Sequence, residues 1–483
     1  AILSPHCLLL PPSEPAKPTS RHAFSPSPPS QNRHNNYSLA TFTLLLPPQS
    51  PPHPQVAANE WKSFAMYTVE SRAIPNMIDG LKPVLRFYLY SSLKNSKKEF
   101  KKVSAVSGII SDYGYNHGES SAAGAGQLMA AEWNNNICLI EGRGSFGTRL
   151  VQEAGAPRYV YSRVHDNFNK YIKDVDLSPM HEDPEHEPPA FYLPILPLVL
   201  VNGTKGIATG FATNILPHNP KDLKKACLQY LDKGKITTKP KVMFPEFQGT
   251  VEQSKEDPTK YMAYGTFKRS GKTGVTITEV PYGFDREGYV KVLDKLEEDG
   301  DIVSYEDKCN KEGFRFEVKL KQSSVKWTDI KLIDKFKLKK PFAQNLTVID
   351  FDGKLREYID ARDLIKDFCD YRLGILQQRI DARITEFNEE VRWLNVKMEF
   401  IQANIDNRIK FKDNSKEQVV NQIMQETSAL GGDTNRLLAL SILNLTKEEI
   451  VNLMKLIEEC KKTLSFWQST TPQEQFNTDL ENV

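Results

Sequence analysis

The sequence lacks the features that mark membrane proteins, disulfide-stabilised domains and structural zinc sites. Its six cysteines are scattered and none forms a Cys-x-x-Cys pair, which indicates a reducing compartment without a disulfide framework. No apolar run approaches the roughly 20 residues that a membrane-spanning helix needs. The leucine triplets near the amino terminus end in prolines and are too short for a signal-peptide core. These absences predict a soluble, cytoplasmic protein.

Charge of one sign is also scarce over the whole chain. The formal net charge is +2 for 483 residues, so a nucleic-acid-binding face has to be local. Residues 82–102 hold seven lysines or arginines and one acid, Glu99. Two interpretations stay open here, a solvated helix face and a surface that contacts phosphates.

Acidic residues are almost absent from residues 1–58, where Glu14 stands alone among 13 of the 30 prolines. Such a composition cannot bury enough apolar surface to offset chain entropy, so we predict that this segment is disordered. The chain begins with Ala1 rather than methionine. The segment is therefore interpreted either as native sequence or as sequence foreign to the functional protein.

The stretch EGRGSFGTRLVQEAGAPRYVYSR (residues 141–163) carries the most distinctive chemistry. Its glycine-rich start suits a tight loop or a β-hairpin tip. It ends on Arg158 and Tyr159. A phenol has a free pKa near ~10 and needs cationic help to act as a nucleophile, and an arginine supplies both charge and phosphate-matching donors. On this stretch alone, the alternative is that Tyr159 and Tyr161 are alternating residues of an ordinary strand.

The segments around this stretch predict a winged-helix order of elements. A turn at residues 79–86 leads into a helix that runs to about Leu93, and a small-residue helix follows His117. His117 is interpreted either as a capping or core histidine or as a functional one. The apolar run 192–201 predicts one or two buried strands. Ile207, between glycines, is either a core residue or a wedge between base steps.

The rest of the chain predicts a separate α/β layer and two long helices. Residues 221–345 alternate between short helical and strand-like patterns. Apolar residues at spacings of three and four predict a helix over residues 362–405. A capping box at Thr446 begins a second long helix. We predict an antiparallel two-helix coiled coil whose distal end is a dimer contact.

Five blocks of the sequence resemble one family. The blocks are AMYTVESRAIPNMIDGLKPVLRF (65–87), YNHGESS (115–121), GRGSFGTR (142–149), APRYVYSR (156–163) and LPLVLVNGTKGIATGFATNILPHNP (196–220). Together, in this order, they are similar to the breakage-reunion (gyrase A-like) subunit of type IIA DNA topoisomerases, especially its phage-encoded members. The likeness extends from about residue 59 to the carboxyl terminus.

The resemblance implies an α+β multidomain fold. Its expected parts are a winged-helix DNA-cleavage domain, or DNA gate (59–220), an α/β tower domain (221–345), a long antiparallel coiled coil with a C-terminal dimer gate (346–470) and a tail (471–483). It also implies a homodimer acting on double-stranded DNA, in the bacterial host cytoplasm if the chain is phage-encoded.

The resemblance further implies roles for individual residues. Tyr159 is expected to attack a DNA phosphodiester and to hold the 5′ phosphate covalently. Arg158 is expected to stabilise the charge that develops on phosphorus, and His117 to hold the scissile phosphate region. The other expected DNA-binding residues are Arg72, Lys82, Arg86, Ser120 and Ile207.

The family's chemistry uses Mg²⁺ and ATP, and we expect a partner subunit with an ATPase and a TOPRIM domain to hold both. No metal ligand is predicted on this chain. The Asp174/Asp176 and Asp350/Asp352 pairs are interpreted as chance, residues 181–189 as a solvated loop, and residues 265–273 as lacking the spacing of a phosphate-binding loop.

The sequence therefore predicts the DNA-cleaving subunit of an ATP-dependent type II topoisomerase, which relaxes or decatenates DNA. Two alternatives remain from the sequence. One is a non-catalytic winged-helix DNA-binding dimer. The other is a degraded copy of a topoisomerase gene.

Overall fold

The computed structural model describes residues 66–483. The prediction of disorder for residues 1–58 lies outside the described residues. Residues 66–483 belong to a single structural unit that contains both helices and strands.

The first part of the described chain, residues 66–233, contains five strands and several helices after a π-helical turn at Val69–Ala73. The helices are α1 (Pro83–Asn95), α2 (Val103–Gly108), α3 (Glu119–Ala130), α4 (Asp166–Tyr171), α5 (Leu198–Asn202) and α6 (Pro220–Lys233). The strands are β1 (Lys101–Lys102), β2 (Ile140–Arg143), β3 (Tyr161–Val164), β4 (Thr204–Ile207) and β5 (Ala212–Ile215).

Helices α1 and α3 pack closely because α3 is built of small residues. Pro83 occupies the first turn of α1, where its missing N–H costs nothing. A Cβ atom at Gly126 of α3 would lie 2.2 Å from Cζ of Tyr88 in α1, so only glycine fits there. The Tyr88 hydroxyl shares a 2.7 Å hydrogen bond with Oγ of Ser162 in β3. The predicted small-residue helix is therefore confirmed, and it lies against α1.

Strands β1, β3 and β2 form a three-stranded antiparallel sheet in that order. Tyr161 at the start of β3 is the register partner of Lys102 on one side and of Arg143 on the other. Strands β4 and β5 form a separate hairpin that begins after Gly203, a residue with a positive φ of 65°. The turn predicted at Asn202-Gly203 is confirmed.

The prediction of buried strands over residues 192–201 is wrong in one respect. These residues are buried, but the second half of the run forms the short helix α5. A fully buried apolar run has no polar face, so its periodicity cannot distinguish a strand from a buried helix.

The middle part of the described chain has a core of its own over residues 275–338, whereas residues 346–348 pack into the main core. Its strands are β6 (Thr250–Gln253), β7 (Lys260–Tyr264), β8 (Thr266–Ser270), β9 (Gly274–Glu279), β10 (Ile302–Asp307), β11 (Phe316–Leu320), β12 (Lys339–Ala343), β13 (Leu346–Ile349) and β14 (Leu355–Tyr358). The helices are α7 (Arg286–Glu298) and α8 (Asp329–Lys335). Strands β10, β11, β9 and β8 form a sheet in that order, and the sheet packs against both helices. Residues 265–273 form part of the β8–β9 hairpin.

The last part of the described chain is helical. Its helices are α9 (Ala361–Ile405), α10 (Lys416–Glu426), α11 (Asp433–Leu438), α12 (Lys447–Ser469) and α13 (Pro472–Glu481). Helices α9 and α12 are antiparallel, since Lys397 bonds Glu449 at 2.8 Å while Glu390 lies beside Cys460. Thr446 caps α12 by accepting from the backbone N–H of Glu449. The Glu449 carboxylate pairs with Lys397 across the two helices.

Residues 471–483, which we expected to be a tail, form α13 and return to the main core. Phe476 and Leu480 are fully buried in that core. Asp479 accepts from Arg379 at 2.7 Å and from Arg372 at 3.4 Å, so an ion pair also fixes α13 on α9.

Candidate functional site

Tyr159 lies in a turn just before β3, with its side chain 69% exposed. The Arg158 guanidinium carbon lies 4.6 Å from the centre of the Tyr159 ring. The backbone on both sides is fixed to α2, because the carbonyl of Pro157 accepts from Ser104 at 3.1 Å and that of Val160 from Val103 at 3.0 Å. A rigid backbone therefore presents a solvent-accessible phenol next to a cation. Tyr159 is not an alternating strand residue.

His117 has hydrogen-bonding groups at both ring nitrogens. Nη2 of Arg72 lies 3.2 Å from Nδ1, and the hydroxyl of Tyr67 lies 3.0 Å from Nε2. Since arginine can only donate, Nδ1 accepts, and the proton of the neutral ring is on Nε2. Burial, and secondarily the charge of Arg72, lower the pKa of His117. The structure thus places the Arg72 guanidinium against the neutral imidazole of His117.

Lys82 holds the β4–β5 hairpin near the pair formed by Arg72 and His117. Its Nζ donates to the carbonyl of Lys205 at 2.7 Å, and burial lowers the pKa of Lys82. A Cβ atom at Gly206 would lie 1.9 Å from the carbonyl oxygen of Ala73, so glycine is required for this approach. The hairpin is therefore seated on the helical turn that carries Arg72.

Ile207 ends β4 with 78% of its surface exposed. Phe211, across the hairpin tip, is 42% exposed, and its carbonyl accepts from the backbone N–H of Ala208 at 2.8 Å. The core interpretation of Ile207 is thus contradicted by its exposure. An aliphatic side chain is instead presented to solvent at the end of an ordered hairpin.

Ser120 is exposed in the first turn of α3. Because Gly118 is the N-cap of α3, Ser120 lies close to His117 along the chain. The hydroxyl is therefore accessible at the start of the small-residue helix.

Arg86 is the one predicted DNA-binding residue that the structure keeps away from this surface. It is 6% exposed and pairs with Asp79 through two contacts, of 3.0 and 3.2 Å. Asp79 also accepts from the backbone N–H groups of Leu81 and Tyr192. Arg86 therefore stabilises the turn before α1 and does not face solvent.

A row of residues beside the tyrosine turn was not predicted from the sequence. Lys102, Tyr161 and Arg143 are neighbours across three adjacent strands, and all three are exposed. The three residues come from different segments of the sequence, so no local pattern groups them. The alternation of β3 indicates only that Tyr161 lies on one face of the sheet. The row extends the positive charge of Arg158 across the sheet.

The groups around the tyrosine turn do not fit a magnesium ion, because they are cations. The nearby acid Glu141 is engaged by Arg163 at 2.7 Å. Asp174 pairs with Arg372 and Arg379, and Asp350 with Arg356. Across residues 66–483, no group of three or more His, Cys, Asp or Glu side chains is arranged to hold a metal ion. Over the same residues, no helix is long and apolar enough to cross a membrane.

Comparisons with known proteins decide which family this geometry belongs to. Residues 72–481 match the family model for the A-type subunit of DNA gyrase and topoisomerase IV. The chain belongs to that family. It is 42% identical over 434 residues to the DNA topoisomerase medium subunit of Enterobacteria phage T4, and the match covers 88% of this chain and 97% of the phage subunit. The family predicted from the five sequence blocks is therefore confirmed.

Two further relatives are less similar in sequence. The mitochondrial DNA topoisomerase 2 of Dictyostelium discoideum is 27% identical over 434 residues, which cover 85% of this chain and 33% of that protein. The crystal structure of the DNA-binding, cleavage and re-ligation domain of Plasmodium falciparum topoisomerase II matches with a TM-score of 0.78 and 26% identity, over 89% of this chain and 62% of that one. The chain thus has the mixed α/β fold of that domain and spans about a third of the Dictyostelium enzyme.

Proposed function

We propose that this chain is the DNA-cleaving subunit of an ATP-dependent type II topoisomerase and that Tyr159 is its nucleophile. The observation that carries the proposal is the 69% exposed phenol beside the Arg158 guanidinium in a chain of this family. In the reaction, a bond forms between the Tyr159 oxygen and phosphorus as the phenol loses its proton. The bond from phosphorus to the DNA 3′ oxygen breaks, and that oxygen takes up a proton. Because one phosphoester replaces another, the reverse attack reseals the strand.

Arg158 and His117 act on the reacting phosphate. The fixed charge of Arg158 stabilises the charge that develops on phosphorus, which is where a preorganised cation is most effective. His117, neutral and oriented by Arg72, offers its Nε2–H to the phosphate region once DNA displaces Tyr67 as its partner. On this chain, the chemistry thus depends on the Arg158 cation and on His117 as a neutral hydrogen-bond donor.

The other predicted residues bind and deform the DNA. Arg72 and Lys82 would contact phosphates, and Ser120 would donate from the start of α3. Ile207 would enter between base steps as a wedge, which bends DNA at a cost of a few kcal/mol of lost stacking. A fluorescence measurement of DNA bending by Ile207→Ala tests this role, and an unchanged bend would refute it. Arg86 would contribute indirectly by holding the turn that carries Lys82.

The larger parts of the chain take the roles of the family's domains. Residues 66–220 would form the winged-helix DNA gate, residues 221–345 the tower, and residues 346–470 the coiled coil with its dimer gate. Two copies of the chain would cut the two strands of one duplex. The partner subunit would supply Mg²⁺ and ATP, both of which type II topoisomerases generally use, and Mg²⁺ would stabilise the leaving 3′ oxygen. A phage-encoded complex of this kind would act in the cytoplasm of the bacterial host.

A covalent-trapping assay tests the proposal. The chain is mixed with its ATPase/TOPRIM partner, Mg²⁺ and supercoiled plasmid, and is then quenched with detergent. We expect a tyrosine-linked double-strand break with wild type and with Tyr161→Phe, and none with Tyr159→Phe. An adduct that persists in Tyr159→Phe would exclude Tyr159 as the nucleophile. DNA binding without an adduct by wild type would favour a non-catalytic DNA-binding dimer.

A further inference from the structure

The segment between β2 and β3, which carries Tyr159, is attached to the middle part of the chain through Arg149. This side chain is 6% exposed. Its Nη2 donates to Oε1 of Glu279 at 2.9 Å and to the carbonyl of Val280 at 3.4 Å. Glu279 is the last residue of β9, so this ion pair joins the tyrosine segment to the sheet of the middle part.

Aromatic rings surround the rest of the Arg149 guanidinium. Its central carbon lies 4.8 Å from the ring centre of Tyr282, 5.4 Å from that of Phe314 and 5.5 Å from that of Phe247. Nε and Nη1 have no hydrogen-bond partner among the described residues. Cation–π contacts therefore stabilise these buried N–H groups.

The Glu279 carboxylate is itself fixed by two backbone groups. It accepts from the N–H of Gln248 at 3.0 Å and from the N–H of Val280 at 2.9 Å. Next to Arg149, the carbonyl of Leu150 accepts from the backbone N–H of Arg286 at the start of α7. Arg149 thus pairs with a carboxylate that two backbone N–H groups also hold.

The same segment is held at its other end by the elements around Tyr159. The N–H of Gly155 donates to the carbonyl of Ser145 at 2.9 Å, and Nε2 of Gln127 in α3 donates to the carbonyl of Gly155 at 2.6 Å. Only a few residues separate Gly155 from Tyr159. A displacement at Arg149 would therefore reach the tyrosine turn through a short, hydrogen-bonded stretch of backbone.

We infer that Arg149 is a positioning residue for Tyr159, and that its ion pair with Glu279 makes the placement of the phenol depend on the middle part of the chain. The inference rests on the proposed function of Tyr159. Arg149 does not touch the reacting atoms. It fixes the far end of the segment that presents them, so losing it should slow strand cleavage without weakening DNA binding.

The test compares Arg149→Met and Arg149→Lys with wild type in the full complex. Fluorescence anisotropy measures DNA affinity, quenched time courses measure the rate of adduct formation, and hydrogen exchange reports on the amides of Gly155 and Tyr159. For Arg149→Met we expect an affinity within twofold of wild type, a cleavage rate at least tenfold lower, and faster exchange at both amides. Arg149→Lys keeps the charge and should recover part of the rate.

A matched control separates positioning from general loss of stability. Leu332→Ala removes a fully buried side chain from the core over residues 275–338 and leaves Arg149 unchanged. We expect it to lower the melting temperature but to leave the cleavage rate and the Gly155 exchange near those of wild type. Should Arg149→Met fail to fold, Glu279→Gln, which removes the charge but not the shape of the acceptor, is expected to slow cleavage severalfold.

Two results would overturn the inference. One is a cleavage rate for Arg149→Met, or for Glu279→Gln where it is the variant that folds, equal to that of wild type. The other is an equal loss of rate in Leu332→Ala. If wild type itself forms no adduct with a competent partner, the proposed function fails instead, so the two failures are distinguishable.

Discussion

Three arginines of the chain differ in what surrounds the guanidinium. Arg158 is exposed over the Tyr159 ring, Arg86 is buried against Asp79, and Arg149 is buried against Glu279 among aromatic rings. A buried arginine that already pairs with a carboxylate would have to give up that pair to reach a phosphate, which is costly. Of the three, only Arg158 is therefore free to act on DNA directly. The other two hold the segments that they contact in place.

His218 provides a prediction at the scale of one residue. It is fully buried, and burial lowers its pKa from 6.5 to about 4, an effect that exceeds the opposing one of nearby backbone groups. The unfolded chain then binds the proton more readily than the folded one. Stability should fall as the pH falls from 6.5 towards 4, and the imidazole contribution should drop by about 2 kcal/mol between pH 7.5 and pH 5.

Hydrogen exchange of the amides next to His218, corrected for the intrinsic exchange rate at each pH, measures this contribution in wild type and His218→Gln at several pH values. Other groups titrate over the same range in both proteins, so the difference between the two curves isolates the histidine. We expect the gap between wild type and variant to narrow as the pH is lowered. Parallel curves would show that His218 does not titrate differently in the folded state.

At the scale of elements, periodicity and capping signals predicted the helices well. Helix α9 spans residues 361–405 against a predicted 362–405, and α12 begins after the predicted cap Thr446. Amphipathic helices carry this information in their own sequence, because one face must be polar and the other apolar. The fully buried run at residues 192–201 carries no such contrast, and its secondary structure was predicted wrongly.

The antiparallel pair of α9 and α12 allows a comparison between two leucines of one helix. Leu453 is 1% exposed in the contact with α9, and Leu456 is 46% exposed. We expect Leu453→Ala to lower the free energy of unfolding of this region by about 2–5 kcal/mol, because it leaves a cavity. Leu456→Ala should change it by no more than about 0.5 kcal/mol.

Hydrogen exchange of the α12 amides measures both effects locally. This local readout is needed because a chain with several cores does not unfold in a single step. Equal protection in the two variants would mean that the contact between α9 and α12 is not what stabilises α12.

At the scale of the whole molecule, the chain has a cationic surface around Tyr159 and, among its described residues, no cluster that would hold a metal. It spans almost the full length of the phage subunit but about a third of the Dictyostelium enzyme. We accordingly propose that it works as a dimer within a larger complex. Leu430 and Leu443, between α9 and α12, are exposed and would provide an apolar surface for the second copy.

Sedimentation equilibrium tests this assembly. We expect a mass of twice the 54.9 kDa chain, and a weaker dimer for Leu443→Glu, which places a charge on an apolar contact. Ile330→Glu is the matched control, since Ile330 is 73% exposed on α8 in the middle part of the chain. A wild-type monomer, or equal weakening by both substitutions, would contradict a dimer contact at Leu443.

The sequence by itself determined the family and the long helices, because motif blocks and helical spacing are local properties. It also indicated that Tyr159 and Arg158 act together, since they are adjacent in the chain. Only the tertiary structure decided that Tyr159 lies in an exposed turn, that Arg86 is buried, and that Arg149 pairs with Glu279. These outcomes depend on contacts between distant segments, such as the pair 130 residues apart formed by Arg149 and Glu279, and no local pattern encodes such contacts.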